Sequence, residues 1–281
     1  MQQVKYNTPS QPRQVRLDTI AACNASCVFC HISAAKERQG RMDMALIDKI
    51  LTKIASWPQP LEEIVPINYG ELWLRDDWYD ILKLIETKLP ATKLVIPTNG
   101  SRLDFKALKM LLSIRTLTVV NFSLNAYFNE SYETLVGLPA ETMTKVRRVV
   151  ERIRIERPGV TVWVSMVYNS LFMSEIEKDR FVDYWKGIAF PQVNQVTFCN
   201  SKEKLWRPVV FPCRSIFSDM VIGYDGKIGS CCFDPGFLID LGTLDDGLLE
   251  IWQGPKFQEF RRLHNEYKRG EHPLCSQCSF A

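Results

Sequence analysis

Three of the chain's nine cysteines fall within eight residues, in the run CNASCVFC from Cys23 through Cys27 to Cys30. Five more, Cys213, Cys231, Cys232, Cys275 and Cys278, lie in the last 70 residues, and Cys199 stands alone between the groups. In a reducing compartment disulfides are disfavoured, and clustered thiols there bind metal or do redox work. Three thiolates on one short loop can converge on a single soft metal centre. A structural zinc ion wants four protein ligands, and no fourth cysteine lies nearby; His31, adjacent to Cys30, would be strained in that role. A [4Fe–4S] cluster held by three thiolates leaves one iron open. Zinc and a plain thiol loop stand as the other readings. Toward the C-terminus, a hairpin turning at Asp225-Gly226 can bring Cys213 and Cys231 together, and Cys275-Ser-Gln-Cys278 supplies two further thiolates. Four such ligands suit zinc and a fully ligated iron–sulfur cluster about equally.

The elements that must position these thiols alternate in type. VRLDTIA, between residues 14 and 22, reads as a strand running into the first cysteine. Leu46, Ile47, Ile50, Leu51 and Ile54 follow a helical period, and IVPIN (64–68) is a short buried strand. WYDILKLI (helix), KLVIPTNG (strand), FKALKMLL (helix) and LTVVNFSLN (strand) continue the rhythm. Met143, Val146, Val149, Val150 and Ile153 mark one face of a longer helix that stops before Pro158. VTVWVSMVYN (strand), EIEKDRFVDYWKGIA (helix) and VNQVTFCN (193–200, strand) complete six units. Strands alternating with helices imply a parallel sheet, and six units imply an α/β fold built as a partial (β/α)6 barrel. Beyond residue 200 the rhythm gives way to a β-hairpin and an amphipathic helix carrying Phe257, Phe260 and Leu263. The expected organisation is a flexible tail over 1–13, the barrel over 14–205 and a small hairpin-plus-helix domain over 206–281.

Length and composition agree. The 281 residues amount to one large domain with an appendage, taking ~150 residues per domain. With 46% apolar and 24% charged residues and a net charge of +3, bulk charge makes no case for nucleic-acid binding. No apolar run reaches the ~18 residues of a membrane span, and the start has no apolar signal core, so a cytoplasmic location is expected.

C-x3-C-x2-C with Phe29 before its last cysteine, at the end of the first strand of such a barrel, resembles the radical S-adenosylmethionine (SAM) superfamily. The resemblance implies that Cys23, Cys27 and Cys30 ligate a [4Fe–4S] cluster whose open iron chelates SAM. Reduction of SAM there yields a 5′-deoxyadenosyl radical that abstracts hydrogen from substrate. It further implies that Tyr69-Gly70-Glu71, after the second strand, contacts the methionine amino group, with Tyr69 where the family has glycine. Asn99, Ser123, Asn125 and Ser165, near the ends of the third, fourth and fifth strands, would face the cofactor. A polar residue at a strand end is also a common turn former. C-x12-G-x4-C followed by C-x-x-C is similar to the SPASM and shorter twitch extensions of the superfamily. That implies one auxiliary [4Fe–4S] cluster on Cys213, Cys231, Cys275 and Cys278, with Cys232 competing for the place of Cys231.

The resemblance implies oxidation of a small polar substrate of amino alcohol, sugar or aminocyclitol type, the auxiliary cluster taking an electron. A flavodoxin or ferredoxin would be the electron donor. Peptide maturation, or epimerisation with Cys199 or Cys232 returning hydrogen, are the rival enzymatic readings. A non-catalytic iron–sulfur or zinc protein is the reading from another class. Cys199 and His264 each also read as ordinary core residues.

Overall fold

The computed structural model describes residues 5–30, 39–195, 211–237, 239 and 241–279. Six strands, β1 (Gln14–Leu17), β2 (Glu63–Val65), β3 (Lys93–Thr98), β4 (Leu117–Ser123), β5 (Thr161–Tyr168) and β6 (Phe190–Gln195), pair in parallel in chain order. Between them run α1 (Met44–Ala55), α2 (Trp78–Lys88), α3 (Phe105–Leu112), α4 (Asn129–Val136), α5 (Glu141–Glu156) and α6 (Glu175–Trp185). Parallel crossovers are right-handed, so a sheet in sequential order carries its helices on one face and curls around the other. All six strand C-termini then meet at one rim, where sites in such folds assemble.

Local chemistry explains the helices. Asp43 and Asp104 cap α1 and α3, their carboxylates accepting from Leu46 N at 2.6 Å and Ala107 N at 2.8 Å. The Ser174 hydroxyl does the same for α6. α1 buries Ile47, Ile50, Leu51 and Ile54, and α5 buries Met143, Val146, Val149, Val150 and Ile153, as their spacing predicts.

Four features depart from expectation. The second strand is only three residues long, because Pro66 has no N–H to continue the ladder. The sixth starts at Phe190, ahead of the run 193–200, whose end lies outside the described residues. α4 was not anticipated; only Tyr132, Leu135 and Val136 are buried in its two turns, too few to establish a period. The segment from Lys5 to Arg13 is bound rather than flexible. Asn265 bonds both the N–H and the carbonyl of Tyr6 at 3.0 Å, and the Trp252 indole donates to Pro9 O at 2.9 Å.

The C-terminal part continues the same sheet. After α7 (Ser215–Ser218), β7 (Asp219–Ile222) pairs in parallel with β1, and β8 (Ile228–Gly229) returns antiparallel to β7 across the Asp225-Gly226 turn. The order is therefore β6-β5-β4-β3-β2-β1-β7-β8. α8 (Leu248–Gln253) and α9 (Pro255–Asn265) follow, α9 burying the expected Phe257, Phe260 and Leu263.

Candidate active site and metal centres

The loop that carries Cys23, Cys27 and Cys30 leaves the end of β1 and is pinched at its base. Ala21 N donates to Gly40 O and Met42 N to Thr19 O, at 2.8 and 2.9 Å. Arg75, fully buried, clamps both sides of that base: its Nη1 reaches Thr19 O at 2.6 Å and Met42 O at 2.7 Å. Asp77 holds the guanidinium from the other side with two bonds of 2.8 Å. The tip of the loop is docked on the C-terminus of α4. Ser26 N and Val28 N donate to the carbonyls of Val136 and Leu135, groups that a helix end leaves without partners. Gly137 makes this approach possible; its φ of 71° is left-handed, and a Cβ there would lie 1.9 Å from Ser26 Oγ. The other end of α4 is held by buried Glu177, whose carboxylate accepts from Tyr127 N, Phe128 N and Ser131 Oγ.

The three thiols lie near enough that Cys27 feels the charges of Cys23 and Cys30, and Cys23 that of Cys30. Burial, with Cys30 and Cys23 adding to it, pushes the Cys27 thiol up to about 12. Cys23 is raised mainly by burial, yet its residue is the exposed one of the three. Phe29 is half-buried against the main core. A donor set of three thiols on one loop fits a cluster with an open iron, and the irons' positive charge is what would draw these thiols into the thiolate form.

Two strand ends grip this loop. Gly70 passes so close that a Cβ would sit 2.1 Å from Ile20 O, and Glu71 N donates to Ala22 O at 2.9 Å. The Glu71 side chain, almost wholly buried, turns toward β3, accepting from Thr98 Oγ1 and Asn99 N at 2.8 Å each. Burial raises its carboxyl to about 7 despite these bonds. Asn99 in turn donates from Nδ2 to Asn24 Oδ1 at 3.1 Å and lies 3.7 Å from Cys23 Sγ. Asn24 closes the ring by donating to Ser101 Oγ at 2.9 Å.

The remaining strand-end residues do different work. Asn125, at φ 62°, spends its side chain on the sheet: Oδ1 accepts from Val167 N at 3.0 Å and Nδ2 faces Ser123 O at 3.3 Å. Ser165 pairs with Ser123 in register, while β5 runs on to Tyr168, and its hydroxyl faces Phe122 O at 3.5 Å. These bonds knit the end of β4 to β5. Cys199 and His31 lie outside the described residues.

At the other end of the sheet, Cys213, Cys231, Cys275 and Cys278 line one small, closed cavity with Ile216, Phe233, Phe260 and Leu274. Cys232 is not among its walls; its thiol, raised to about 11 chiefly by burial, feels the charges of Arg16, Asp219 and Cys213. Burial also lifts Cys275 to about 12 and Cys231 well above the ordinary thiol range. Among the described residues no group of three or more His, Cys, Asp and Glu is drawn in to hold a single ion. Four thiols around one cavity match the ligand count of a fully ligated cluster, and the buried Arg269 guanidinium nearby favours the thiolate forms of Cys275 and Cys213. The donor set thus fits a fully ligated iron–sulfur cluster.

Sequence reasoning missed three parts of this arrangement. Asn24 and Ser101 were hidden because a polar residue beside a cysteine or after a turn glycine has many uses. Arg75 carried no signal at all. His264 does more than fill the core: its Nδ1 accepts from Cys213 N at 3.0 Å, and it lines the four-thiol cavity. Tyr69 joins the two regions, its hydroxyl donating to the carbonyl of Cys232.

Residues 17–179 match the radical SAM superfamily, and residues 213–279 match SPASM, an iron–sulfur cluster-binding domain. The S-adenosyl-L-methionine-dependent 2-deoxy-scyllo-inosamine dehydrogenase of Niallia circulans is 21% identical over 276 residues, 94% of this chain and 92% of that protein. The structure of BtrN in complex with AdoMet and 2-DOIA is similar at a TM-score of 0.66 and 18% identity, covering 98% of this chain and 94% of BtrN. Native anSMEcpe with bound AdoMet and Cp18Cys peptide is similar at 0.69 and 15% identity, covering 94% and 88%. These structural likenesses show a shared fold.

Proposed function

The chain belongs to the radical SAM superfamily and carries an SPASM iron–sulfur cluster-binding domain, and on that premise we propose that it is a dehydrogenase of a small polar alcohol. The substrate class would be an amino alcohol, sugar or aminocyclitol. The observation that carries this reading is the pairing of a partly exposed three-thiol loop with a closed four-thiol cavity on one continuous sheet. When bound, the groups at these two sites supply a 5′-deoxyadenosyl radical and an electron acceptor. A net two-electron oxidation needs both, since an alcohol carbon that has lost a hydrogen atom must still lose a proton and an electron. The name of the Niallia circulans relative supports the substrate class.

The chain's own residues have separable tasks in this reading. Cys23, Cys27 and Cys30 hold the first cluster, and Arg75, α4 and the Asn24–Asn99–Ser101 ring fix the shape of their loop. Gly70 lets the strand end pass beside Ala22, where the backbone can meet SAM. Glu71 stabilises that turn by holding Thr98 and Asn99. Cys213, Cys231, Cys275 and Cys278 hold the auxiliary cluster behind apolar walls that exclude water and substrate. The family matches, ending at 179 and resuming at 213, support a division near residues 205 and 206. No helix among the described residues is long and apolar enough to cross a membrane. A flavodoxin or ferredoxin in the cytoplasm would supply the reducing electron.

A peptide substrate is the second reading, supported by the peptide-bound structural neighbour. The test is anaerobic reconstitution, counting iron, then incubation with SAM, dithionite and candidate aminocyclitols in deuterated water. Roughly eight irons per chain, 5′-deoxyadenosine and a ketone product support the dehydrogenase. Deuterium incorporated into an unoxidised product would instead establish an epimerase, and zinc without SAM cleavage would remove the enzyme altogether.

A further inference from the structure

The walls of the four-thiol cavity contain two N–H groups that have no acceptor among the described residues. His264 is fully buried and lines the cavity. Its Nδ1 accepts the backbone N–H of Cys213 at 3.0 Å. A nitrogen that accepts a hydrogen bond carries no proton, so the imidazole proton sits on Nε2. That Nε2 is buried and has no partner. Arg269 lines the same cavity, fully buried; its Nη1 and Nη2 are taken by Phe211 O at 3.0 Å and Cys278 O at 3.3 Å, while its Nε has no partner either. Buried donors are almost always paired. The other walls are Ile216, Phe233, Phe260, Leu274, one serine and four thiols, so the acceptors available in this cavity are chiefly sulfur.

The geometry points to His264 Nε2–H, assisted by Arg269 Nε–H, as hydrogen-bond donors to the sulfurs of the auxiliary cluster. This rests on the reading that an iron–sulfur cluster occupies the cavity. N–H donors and positive charge beside cluster sulfur stabilise the more negative, reduced state and raise the reduction potential. The pair would make the auxiliary cluster a better electron acceptor, which is what oxidation of a substrate radical requires. His264 also orients a ligand, because the residue whose N–H it accepts is Cys213 itself.

The test uses the full chain with Cys23, Cys27 and Cys30 replaced by alanine, so that only the auxiliary site can hold iron. It is reconstituted anaerobically, and its midpoint potential is read by redox titration followed by electron paramagnetic resonance. His264→Asn can keep the bond to Cys213 N–H through Oδ1 but has no donor at the Nε2 position, and its potential should fall. His264→Gln restores an N–H at that position and should return the potential toward that of the parent. An unchanged potential in His264→Asn, with iron content preserved, overturns the inference alone. Equal shifts in both variants would also overturn it, since they would mark a merely structural residue. Failure of the parent to bind iron would overturn the cluster reading, and the inference with it.

Discussion

The two thiol sites use the same side chain in opposite settings. The first is built on a loop, with Cys23 exposed, Cys27 and Cys30 half-buried, and Val28 between them 54% exposed. The second is built between elements, with Cys213, Cys275 and Cys278 all buried behind phenylalanine and leucine. Loop thiols of that kind leave room for a fourth, non-protein ligand; a closed cavity with four thiols leaves room for none. The difference separates chemistry that must meet a cofactor from chemistry that need only move an electron. It also separates how the sites are held. The first depends on polar clamps, Arg75, Asn99 and the end of α4, whereas the second combines apolar packing and the docking of β7 with two fully buried groups, His264 and Arg269, bonded to Cys213 N and Cys278 O.

Removing ligands breaks the comparison most severely. Replacing Cys23, Cys27 and Cys30 with alanine should abolish 5′-deoxyadenosine formation completely while leaving roughly four irons per chain. Replacing Cys213, Cys231, Cys275 and Cys278 should leave SAM cleavage measurable but abolish the oxidised product. It should also lower Tm, because a metal group bound only by the folded state stabilises that state. Within the second set, Cys231→Ser should lose the auxiliary iron, and Cys232→Ser should keep it. Retention of that iron by Cys231→Ser and its loss from Cys232→Ser would reverse the assignment made from the cavity.

Arg75 ranks next. Arg75→Met removes the donor to two buried carbonyls and leaves the partly exposed Asp77 to Arg41 alone, a loss of ~1–3 kcal/mol for each carbonyl left unpaired. Denaturant unfolding of the iron-free chain would measure it. A loss below ~1 kcal/mol would show that the loop base is held mainly by its backbone bonds.

What could be read from the residues alone divides along the same line. The barrel was legible because Ile47, Ile50, Leu51 and Ile54, or Val146, Val149, Val150 and Ile153, repeat with helical period, and periodicity is a local property. The cysteine spacing was legible for the same reason. The docking of β7 beside β1 was not, since a strand's partner is chosen by burial far away in sequence. Nor was the role of α4, whose importance lies in two terminal carbonyls and Gly137. Asn125 and Ser165 were placed near the right rim, but a side chain's position says nothing of whether the neighbouring strand has already claimed its polar atoms. Arg75 and His264 matter through single long-range bonds, to Thr19 and Met42 and to Cys213, which leave no mark on local pattern.

The two sites should also answer pH with opposite sign in the iron-free chain. Burial lowers His264 from 6.5 to about 3, so the unfolded chain gains a proton that the folded chain refuses as pH falls below 6.5. Stability is lost toward acid on that account. Burial raises Glu71 from 4.5 to about 7, so between these values the folded chain holds a proton that the unfolded chain has released. Stability from this group is therefore lost as pH rises through the window, on the order of 3 kcal/mol in full. Glu71→Gln keeps the shape without the charge. Its unfolding free energy, measured from pH 4.5 to 8 by denaturant titration, should lack the decline that the parent shows. Parallel curves for the two proteins would mean that Thr98 and Asn99 already compensate the buried carboxylate, and that the rim beside Cys23 is poised to hold a negative charge rather than a proton.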